Sequence, residues 1–295
     1  MYKIKQSPED FIVKEISNVE INETGGYSYF LLKKKNYTTV RALQHIAQVL
    51  RIPLKRLGFA GTKDKNAVTE QVVSVKDVSK EKLEHVNLKD IEIKFLGKGE
   101  KPVSLGDLEG NYFEIVVRDY ETKPKKLEKF RNLFGEQRFS KNNAEIGKAI
   151  IKKDFKRSAE IANEDVVNEH LKKNPNDFIG ALRKVPIKIL KMYVHAYQSY
   201  LWNTLAEKSD EEEIPIVGFG TETTEEINKL IEEEKITTRE FIIREIPELS
   251  SEGDTRKVFA EVKDLKIELG EKTIKLSFAL PKGSYETELV RQMFS

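Results

Sequence analysis

Residues 58–71 read, in order, Gly58-Phe59-Ala60-Gly61-Thr62-Lys63-Asp64-Lys65-Asn66-Ala67-Val68-Thr69-Glu70-Gln71. The two glycines allow a sharp bend, because glycine reaches backbone angles that other side chains forbid. After the bend comes one carboxylate, Asp64, between two lysines whose ammonium groups favour its charged form. An ionised carboxylate on a fixed loop can act as a nucleophile or as a base. A surface turn with solvated charges has the same composition, so the residues alone leave both interpretations open.

Alternation of apolar and polar residues predicts strands on both sides of this stretch. The predicted strands are Phe11–Ile16, Tyr27–Leu32, Glu70–Val75, Ile91–Leu96, Phe113–Val117, Leu265–Leu269 and Ile274–Leu280. A helix is predicted over Thr39–Leu50, with Thr38 or Thr39 as its cap. Its predicted apolar face consists of Val40, Leu43, Ile46, Ala47 and Leu50. A second helix is predicted from Pro124 to Gly135, because proline opens helices and glycine ends them.

The middle of the chain follows a different pattern. Apolar residues from Asn143 to Lys208 recur at helical spacing, and Glu225–Glu234 predicts a short charged helix. Strands return after Arg256, and a last helix is predicted after Gly283, with Ser284 as its cap. The pattern therefore predicts an α+β protein in which a mainly helical domain interrupts a sheet-based one. The predicted domains are residues 1–142 with 254–295, and the insert 143–253.

Composition limits the function classes. The 295 residues include 51 basic and 49 acidic side chains, so the net charge of +2 gives no sign of a nucleic-acid partner. The charge is unevenly placed, however, with a net +8 over residues 123–157 and a net −9 over residues 207–234. A basic face for a polyanion and a surface of scattered, solvated charges both explain this distribution.

Several site classes find no support in the sequence. The absence of cysteine rules out disulfides and thiolate zinc sites, and the four histidines lack metal-ligand spacing, so no metal is expected. Residues 58–63 depart from the phosphate-loop pattern, because threonine separates Gly61 from Lys63. No stretch near residue 1 has the apolar core of a signal peptide, and no apolar run approaches about 20 residues. We therefore expect a soluble, cytoplasmic protein.

Asn111 and Phe113 alternate along a predicted strand, so both side chains should face the same side. A phenyl ring can stack on an extruded base, and an amide can orient a carboxylate. Taken alone, a core phenylalanine and a turn asparagine explain these residues at least as well. Arg138 and, more weakly, Arg291 are candidate contacts to phosphate or base, although surface salt bridges are equally ordinary roles for both.

Five blocks of sequence, in the same order along the chain, resemble the TruD family of tRNA pseudouridine synthases. Residues 58–71 resemble its signature loop A-G-x-K-D-(K/R)-x-A-V-T-x-Q. The other blocks are Lys5–Val13, Leu105-Gly106 with Gly110–Phe113, Asn132–Phe139, and Leu280–Tyr285 with Val290-Arg291, and Ala196–Asn203 matches more weakly. The chain departs from the family at Leu133, Ser140 and Trp202, where Tyr, Gly and Phe are frequent. These departures bear on substrate choice more than on activity.

The resemblance implies a mixed, largely antiparallel sheet of the pseudouridine-synthase type, flanked by helices. It implies isomerisation of uridine to pseudouridine in tRNA, usually at position 13, by a monomer that needs no cofactor and no metal. The alternatives are a catalytically inactive tRNA- or RNA-binding protein of the same fold and, more distantly, a helical adaptor.

The resemblance also implies the site. Asp64 is the catalytic residue, acting on the ribose either by attack at C1′ or by removing the C2′ proton. Lys5 keeps Asp64 ionised, and Phe113 holds the uracil while it turns over. Asn111 lies beside the catalytic aspartate. Lys63 and Arg138 complete the predicted substrate-binding residues.

Overall fold

A computed structural model of the protein describes residues 2–295, without the side chain of Lys141. Its strands are β1 Phe11–Ile16, β2 Tyr27–Lys35, β3 Leu57–Phe59, β4 Val68–Lys76, β5 Ile91–Gly99, β6 Gly110–Arg118, β7 Lys129–Arg131, β8 Glu213–Ile216, β9 Asp254–Lys257, β10 Phe259–Glu261, β11 Lys263–Leu269 and β12 Thr273–Pro281. Its α-helices are α1 Thr39–Leu50, α2 Lys80–Glu84, α3 Asn143–Ile151, α4 Phe155–Ala162, α5 Asp165–Lys173, α6 Phe178–Leu182, α7 Ile187–Ala206, α8 Glu225–Glu233 and α9 Glu286–Met293.

One large sheet holds the predicted strands of both chain ends. Its order is β11-β12-β6-β1-β4-β2-β5, and β3 pairs with β4 at the side of this path. Strands β1 and β4 run parallel, whereas the neighbours of β6 and of β2 are antiparallel to them. The predicted α+β class with a mixed, largely antiparallel sheet is thus confirmed.

Helix α1 covers part of one sheet face. Its buried Leu43 and Ile46 pack in one cluster with Phe30 and Leu32 of β2 and with Val73 of β4. The helix has the predicted bounds, and its cap is the first of the two candidates, since the Thr38 side chain accepts a hydrogen bond from the Arg41 amide.

The predicted apolar face of α1 is wrong at one position. Val40 is 41% exposed, whereas Leu43 and Ile46 are fully buried. At about 100° per residue, Val40 lies about 90° from the centre of the buried face.

The chain divides into two compact units. The first contains the residues up to Lys129, Glu261–Glu286 and Met293–Ser295. The second contains Phe130–Ala260 and Thr287–Gln292. The division predicted from the sequence, at 142/143 and 253/254, stays a prediction about folding domains.

The second unit is mainly helical, as the spacing of residues 143–208 predicts. Its longest helix is α7, whose Val194, Tyr197 and Leu201 lie in one cluster with Ile150 of α3 and Phe241. The short charged helix also forms, as α8. Within residues 2–295, we find no helix with the length and apolarity to cross a bilayer.

The helix predicted from Pro124 to Gly135 is wrong. Residues 129–131 form β7, which pairs with β10 in a two-stranded sheet. The next amide, that of Asn132, donates to the carbonyl of Val258 rather than to its own turn (2.8 Å). Apolar residues at 130, 133 and 134 fit helical spacing, but partners distant in sequence bind the backbone. The last helix forms after Gly283, as predicted, and begins at Glu286, two residues after the predicted cap Ser284.

Candidate active site

Asp64 lies in the loop between β3 and β4, and side chains from neighbouring elements hold this loop. The Gln71 amide donates a 2.9 Å hydrogen bond to the carbonyl of Gly61. The Thr39 hydroxyl accepts one of 2.9 Å from the backbone amide of Lys63. Thr39 also donates to Gln71 (2.8 Å), and both side chains are fully buried. The loop is therefore fixed on both sides of the carboxylate by groups that are themselves immobilised.

The sequence suggests that Gly58 and Gly61 bend the chain through special backbone angles, but neither glycine does so. Gly58 lies in β3, and Gly61 lies in the loop. Neither Gly58 nor Gly61 has a positive φ. A Cβ on Gly58 would lie 2.4 Å from the carbonyl oxygen of Val103, whereas one on Gly61 would meet no atom within 4 Å. Gly58 thus permits a close backbone approach, and neither glycine supplies a left-handed turn.

The ion pair of Asp64 comes from a distant residue. Lys5 Nζ lies 2.6 Å from Asp64 Oδ2, and the two residues are 59 positions apart. The same ammonium lies 3.9 Å from the centre of the Phe11 ring and 3.6 Å from Glu286 Oε1. The side chain of Lys5 is 17% exposed and that of Asp64 is 38% exposed, so the carboxylate stays accessible while its partner is largely enclosed. This arrangement fits the predicted role of Lys5.

The segment that carries Lys5 is anchored to β6. Lys3 and Arg118 exchange two backbone hydrogen bonds of 2.8 Å. The Arg118 guanidinium binds both carboxylate oxygens of Asp10, at 2.8 and 3.2 Å, and holds the pKa of Asp10 below its usual range. Lys5 itself adopts a left-handed conformation, with φ of 59°. The side chain is thereby directed by a backbone that is pinned before and after it.

Asn111 and Phe113 share one face of β6, as the alternation predicts. Phe113 is opposite Val13 of β1 and opposite Phe278 of β12. Its ring centre lies 6.3 Å from that of Phe11 and 5.5 Å from that of Phe278. Phe113 is only 4% exposed, so most of its surface already contacts protein.

Lys63 is bound to two side chains of the same sheet face. Its Nζ lies 2.8 Å from Asn111 Oδ1 and 2.8 Å from Glu15 Oε2. Glu15 is the direct cross-strand partner of Asn111, and its other oxygen accepts the Val72 amide at 3.2 Å. The Lys63 side chain is 6% exposed and that of Glu15 is fully buried. Lys63 therefore holds Asn111 in place.

Sequence reasoning missed three charged groups. The first is Lys34 of β2, 1% exposed, whose ammonium donates to the backbone carbonyl of Asp64 (2.9 Å) and whose pKa burial lowers to about 8. The second is Glu15, and the third is Glu286, whose pKa burial raises above its ordinary value. A usable signal existed for Lys34 and Glu15, because each occupies an inward position of its strand alternation, where an apolar residue is expected.

Two predicted candidates lie in the second unit: the weaker one, Arg291, whose Nε donates to Glu288 Oε2 (3.0 Å), and Arg138. The Nε of Arg138 donates to the Ser199 hydroxyl (3.2 Å), and its guanidinium carbon lies 5.2 Å from the centre of the Phe134 ring. The other predicted residues, Lys5, Lys63, Asp64, Asn111 and Phe113, lie in the first unit. Among residues 2–295, no group of three or more His, Asp or Glu side chains is arranged to hold a metal ion.

Known proteins resemble this chain along its whole length. The family model for tRNA pseudouridine synthase D (TruD) matches residues 2–168, 158–218 and 212–293. A tRNA pseudouridine synthase D of Aquifex aeolicus is 33% identical over 377 aligned positions, which cover 99% of this chain and 98% of the relative. Because 377 exceeds the 295 residues of this chain, that relative has segments that are missing here.

Two archaeal proteins agree with this comparison. A protein of Methanosarcina acetivorans, described as a probable tRNA pseudouridine synthase D, is 30% identical and covers 98% of this chain and 92% of its own. The crystal structure of a candidate tRNA pseudouridine synthase D from Methanosarcina mazei superposes with a TM-score of 0.79 at 28% identity, covering 99% of this chain and 93% of that one. The chain therefore belongs to the tRNA pseudouridine synthase D (TruD) family.

Proposed function

We propose that the protein converts uridine to pseudouridine in tRNA, with Asp64 as the catalytic carboxylate. The observation that carries this proposal is the environment of Asp64: an accessible carboxylate on an immobilised loop, paired with a lysine that is largely enclosed. Membership of the TruD family supports the reaction and the substrate class.

The reaction breaks the N1–C1′ bond and forms a C5–C1′ bond, while one hydrogen moves in net from C5 to N1. A structured tRNA must first release the base from its stack, at a cost of a few kcal/mol. Asp64 then acts on the ribose, either by attack at C1′ or by removing the C2′ proton. Deuterium at C2′ decides between these routes, because a large slowing of the rate requires that the C2′–H bond breaks in the slow step.

Each neighbour of Asp64 has a separate proposed role. Lys5 keeps the carboxylate ionised. Phe113, largely buried between two other rings, forms an apolar wall against the uracil. Asn111 places its amide at the pocket, and Lys63 orients Asn111 from the side of Glu15. Arg138 contributes a contact to RNA phosphate or base from the second unit.

Release of tritium from tRNA labelled at C5 of uracil tests the assignment directly. The wild-type protein should release label, whereas Asp64→Asn should bind the same tRNA and release none. Asp77→Asn is the matched control, because Asp77 follows the other end of β4 and its side chain is 64% exposed. Wild-type protein that binds tRNA without releasing label would support the inactive RNA-binding alternative instead.

The modified position and the cellular setting are further parts of the proposal. The family resemblance supports position 13 of tRNA, a monomer, and action in the cytoplasm. A pseudouridine map of tRNA from cells with and without this protein tests the position, and light scattering of the purified protein tests the monomer.

A further inference from the structure

The loop that carries Asp64 is held by a buried ammonium group that the proposed mechanism does not use. Lys34 is the last inward-facing residue of β2 and is 1% exposed. Its Nζ donates 2.6 Å and 2.9 Å hydrogen bonds to the carbonyls of Tyr37 and Asp64. One side chain thus joins the end of β2 to the peptide group of the proposed catalytic residue itself.

The surroundings of Lys34 are otherwise poor in charge. Its cross-strand partners are Thr69 of β4 and Ile91 of β5, which carry none. Among the described residues, no carboxylate oxygen lies within the 4.0 Å of an ion pair with its Nζ. The charges that act on it are those of Asp64, which favours the ammonium, and of Lys63, which disfavours it.

Burial of such a group is costly. An ammonium taken out of water without a carboxylate of its own loses hydration that two carbonyls only partly replace. The preceding inward residues of the same strand, Phe30 and Leu32, are apolar and fully buried. An apolar residue at position 34 would therefore suit the core better, which indicates that the charge serves the loop.

We infer that Lys34 is a positioning residue for the reaction: its ammonium fixes the peptide group of Asp64 through a charge-assisted hydrogen bond. This inference rests on the proposed role of Asp64. It adds a second cation to that of Lys5, and the two differ in place. Lys5 binds the carboxylate, whereas Lys34 binds the backbone from within the core.

The first test compares Lys34→Met with Lys33→Met. Lys33 is adjacent in β2, but its side chain is 41% exposed and pairs with Glu92. For Lys34→Met we expect kcat on saturating tRNA to fall about 100-fold, the usual effect of a displaced reacting group. The dissociation constant for tRNA should stay within about twofold, since Lys34 is not accessible to RNA. Lys33→Met should leave kcat unchanged.

The second test uses Lys34→Arg and the alkaline limb. Above a pH of about 8 the wild-type Lys34 loses its charge, and a neutral amine donates weaker hydrogen bonds than an ammonium does. An arginine stays charged throughout this range. A fall in kcat above pH 8 that is absent from Lys34→Arg therefore reports the charge of Lys34. A fall that persists unchanged in Lys34→Arg belongs to another group, such as the N3–H of uracil, and contradicts the electrostatic part of the inference.

The two proposals fail in different ways. If wild-type protein releases no tritium, the proposed function is wrong. If wild-type protein is active and Asp64→Asn is not, but a folded Lys34→Met keeps kcat within about threefold, the inference about Lys34 is wrong. Should Lys34→Met fail to fold, judged by its melting curve, the alkaline limbs of wild type and Lys34→Arg decide alone.

Discussion

The ammonium of Lys63 donates a 2.8 Å hydrogen bond to the amide oxygen of Asn111. This bond fixes which end of the amide faces the lysine, so the NH₂ group of Asn111 is left to donate elsewhere. Both partners are held in turn by Glu15, which pairs with Lys63 and is opposite Asn111 in the sheet. The carboxamide is therefore oriented before any substrate binds.

Replacement of Lys63 should therefore act through Asn111. We expect Lys63→Met to lower kcat about 10- to 100-fold, the range typical of a lost orienting contact. Asn111→Ala should do the same, and the double variant should be little worse than either single one, because both changes remove one interaction. Tritium release at saturating tRNA measures this. Fully additive losses would show that Lys63 works independently of Asn111. Lys65→Met, at an exposed position of the same loop, is the control for a general charge effect on kcat.

Glu286 should lower stability at neutral pH. Burial raises the pKa of this carboxyl, so the folded protein binds its proton more tightly than the unfolded chain does. Stability therefore falls as pH rises through the raised pKa. We expect Glu286→Gln to raise the melting temperature at pH 7 by about 2–4 °C, which corresponds to about 1 kcal/mol for a domain of this size. The gain should vanish near pH 3, where the carboxyl is protonated in both states. A lower melting temperature at pH 7 would instead mean that the contact of Glu286 with Lys5 outweighs the cost of burial. Glu268→Gln, on the exposed face of β11, should leave the melting temperature unchanged at both pH values.

The elements that sequence reasoning found are those whose period is regular and whose ends carry local signals. Helix α1 combines an apolar stripe with a capping threonine, and β1 alternates from Phe11 to Ile16, so both have the predicted bounds. Residues 124–135 have a helical pattern as well, yet residues 129–131 form β7, because the hydrogen-bond partners of this segment lie about 130 residues further along the chain. Partners that are so distant in sequence cannot be detected from the residue pattern of a short segment.

The residues of the site also differ in how far the sequence identifies them. Asp64 and Lys5 could be identified because they stand in blocks that resemble a known family. Lys34 of β2 and Glu15 of β1 lie at inward positions of the strand alternation, but a charged side chain in a strand normally faces water. The alternation alone therefore does not decide their orientation, and their contacts with Asp64 and Lys63 come from residues distant in sequence.

The ion pair between Arg118 and Asp10 should stabilise the fold in a pH-dependent way. Asp10 is 4% exposed, and its two oxygens bind the guanidinium. In Arg118→Met this carboxylate loses its cation, at a cost of about 1–3 kcal/mol. Because Arg118 lowers the pKa of Asp10, the stabilisation is present at neutral pH and is lost as pH falls through that lowered value. Urea denaturation at pH 7 and at pH 3 measures both limits: the difference between wild type and variant should shrink at pH 3. A constant difference would assign the loss to packing of the Arg118 side chain rather than to the ion pair.

The two glycines of the Asp64 loop should respond differently to alanine. A Cβ on Gly58 would lie 2.4 Å from the Val103 carbonyl oxygen and 2.7 Å from Ser74 Oγ, and the first of these is a backbone atom, which cannot rotate aside as the end of a side chain can. We expect Gly58→Ala to destabilise the protein by about 1–3 kcal/mol. Gly61 has an ordinary φ and open space where the Cβ would stand, so Gly61→Ala should cost nothing and can add about 0.4–1 kcal/mol through the unfolded chain. Thermal melts of the two variants check this order directly. If Gly61→Ala proved the more damaging of the two, the loop would need a backbone conformation at residue 61 that only glycine adopts.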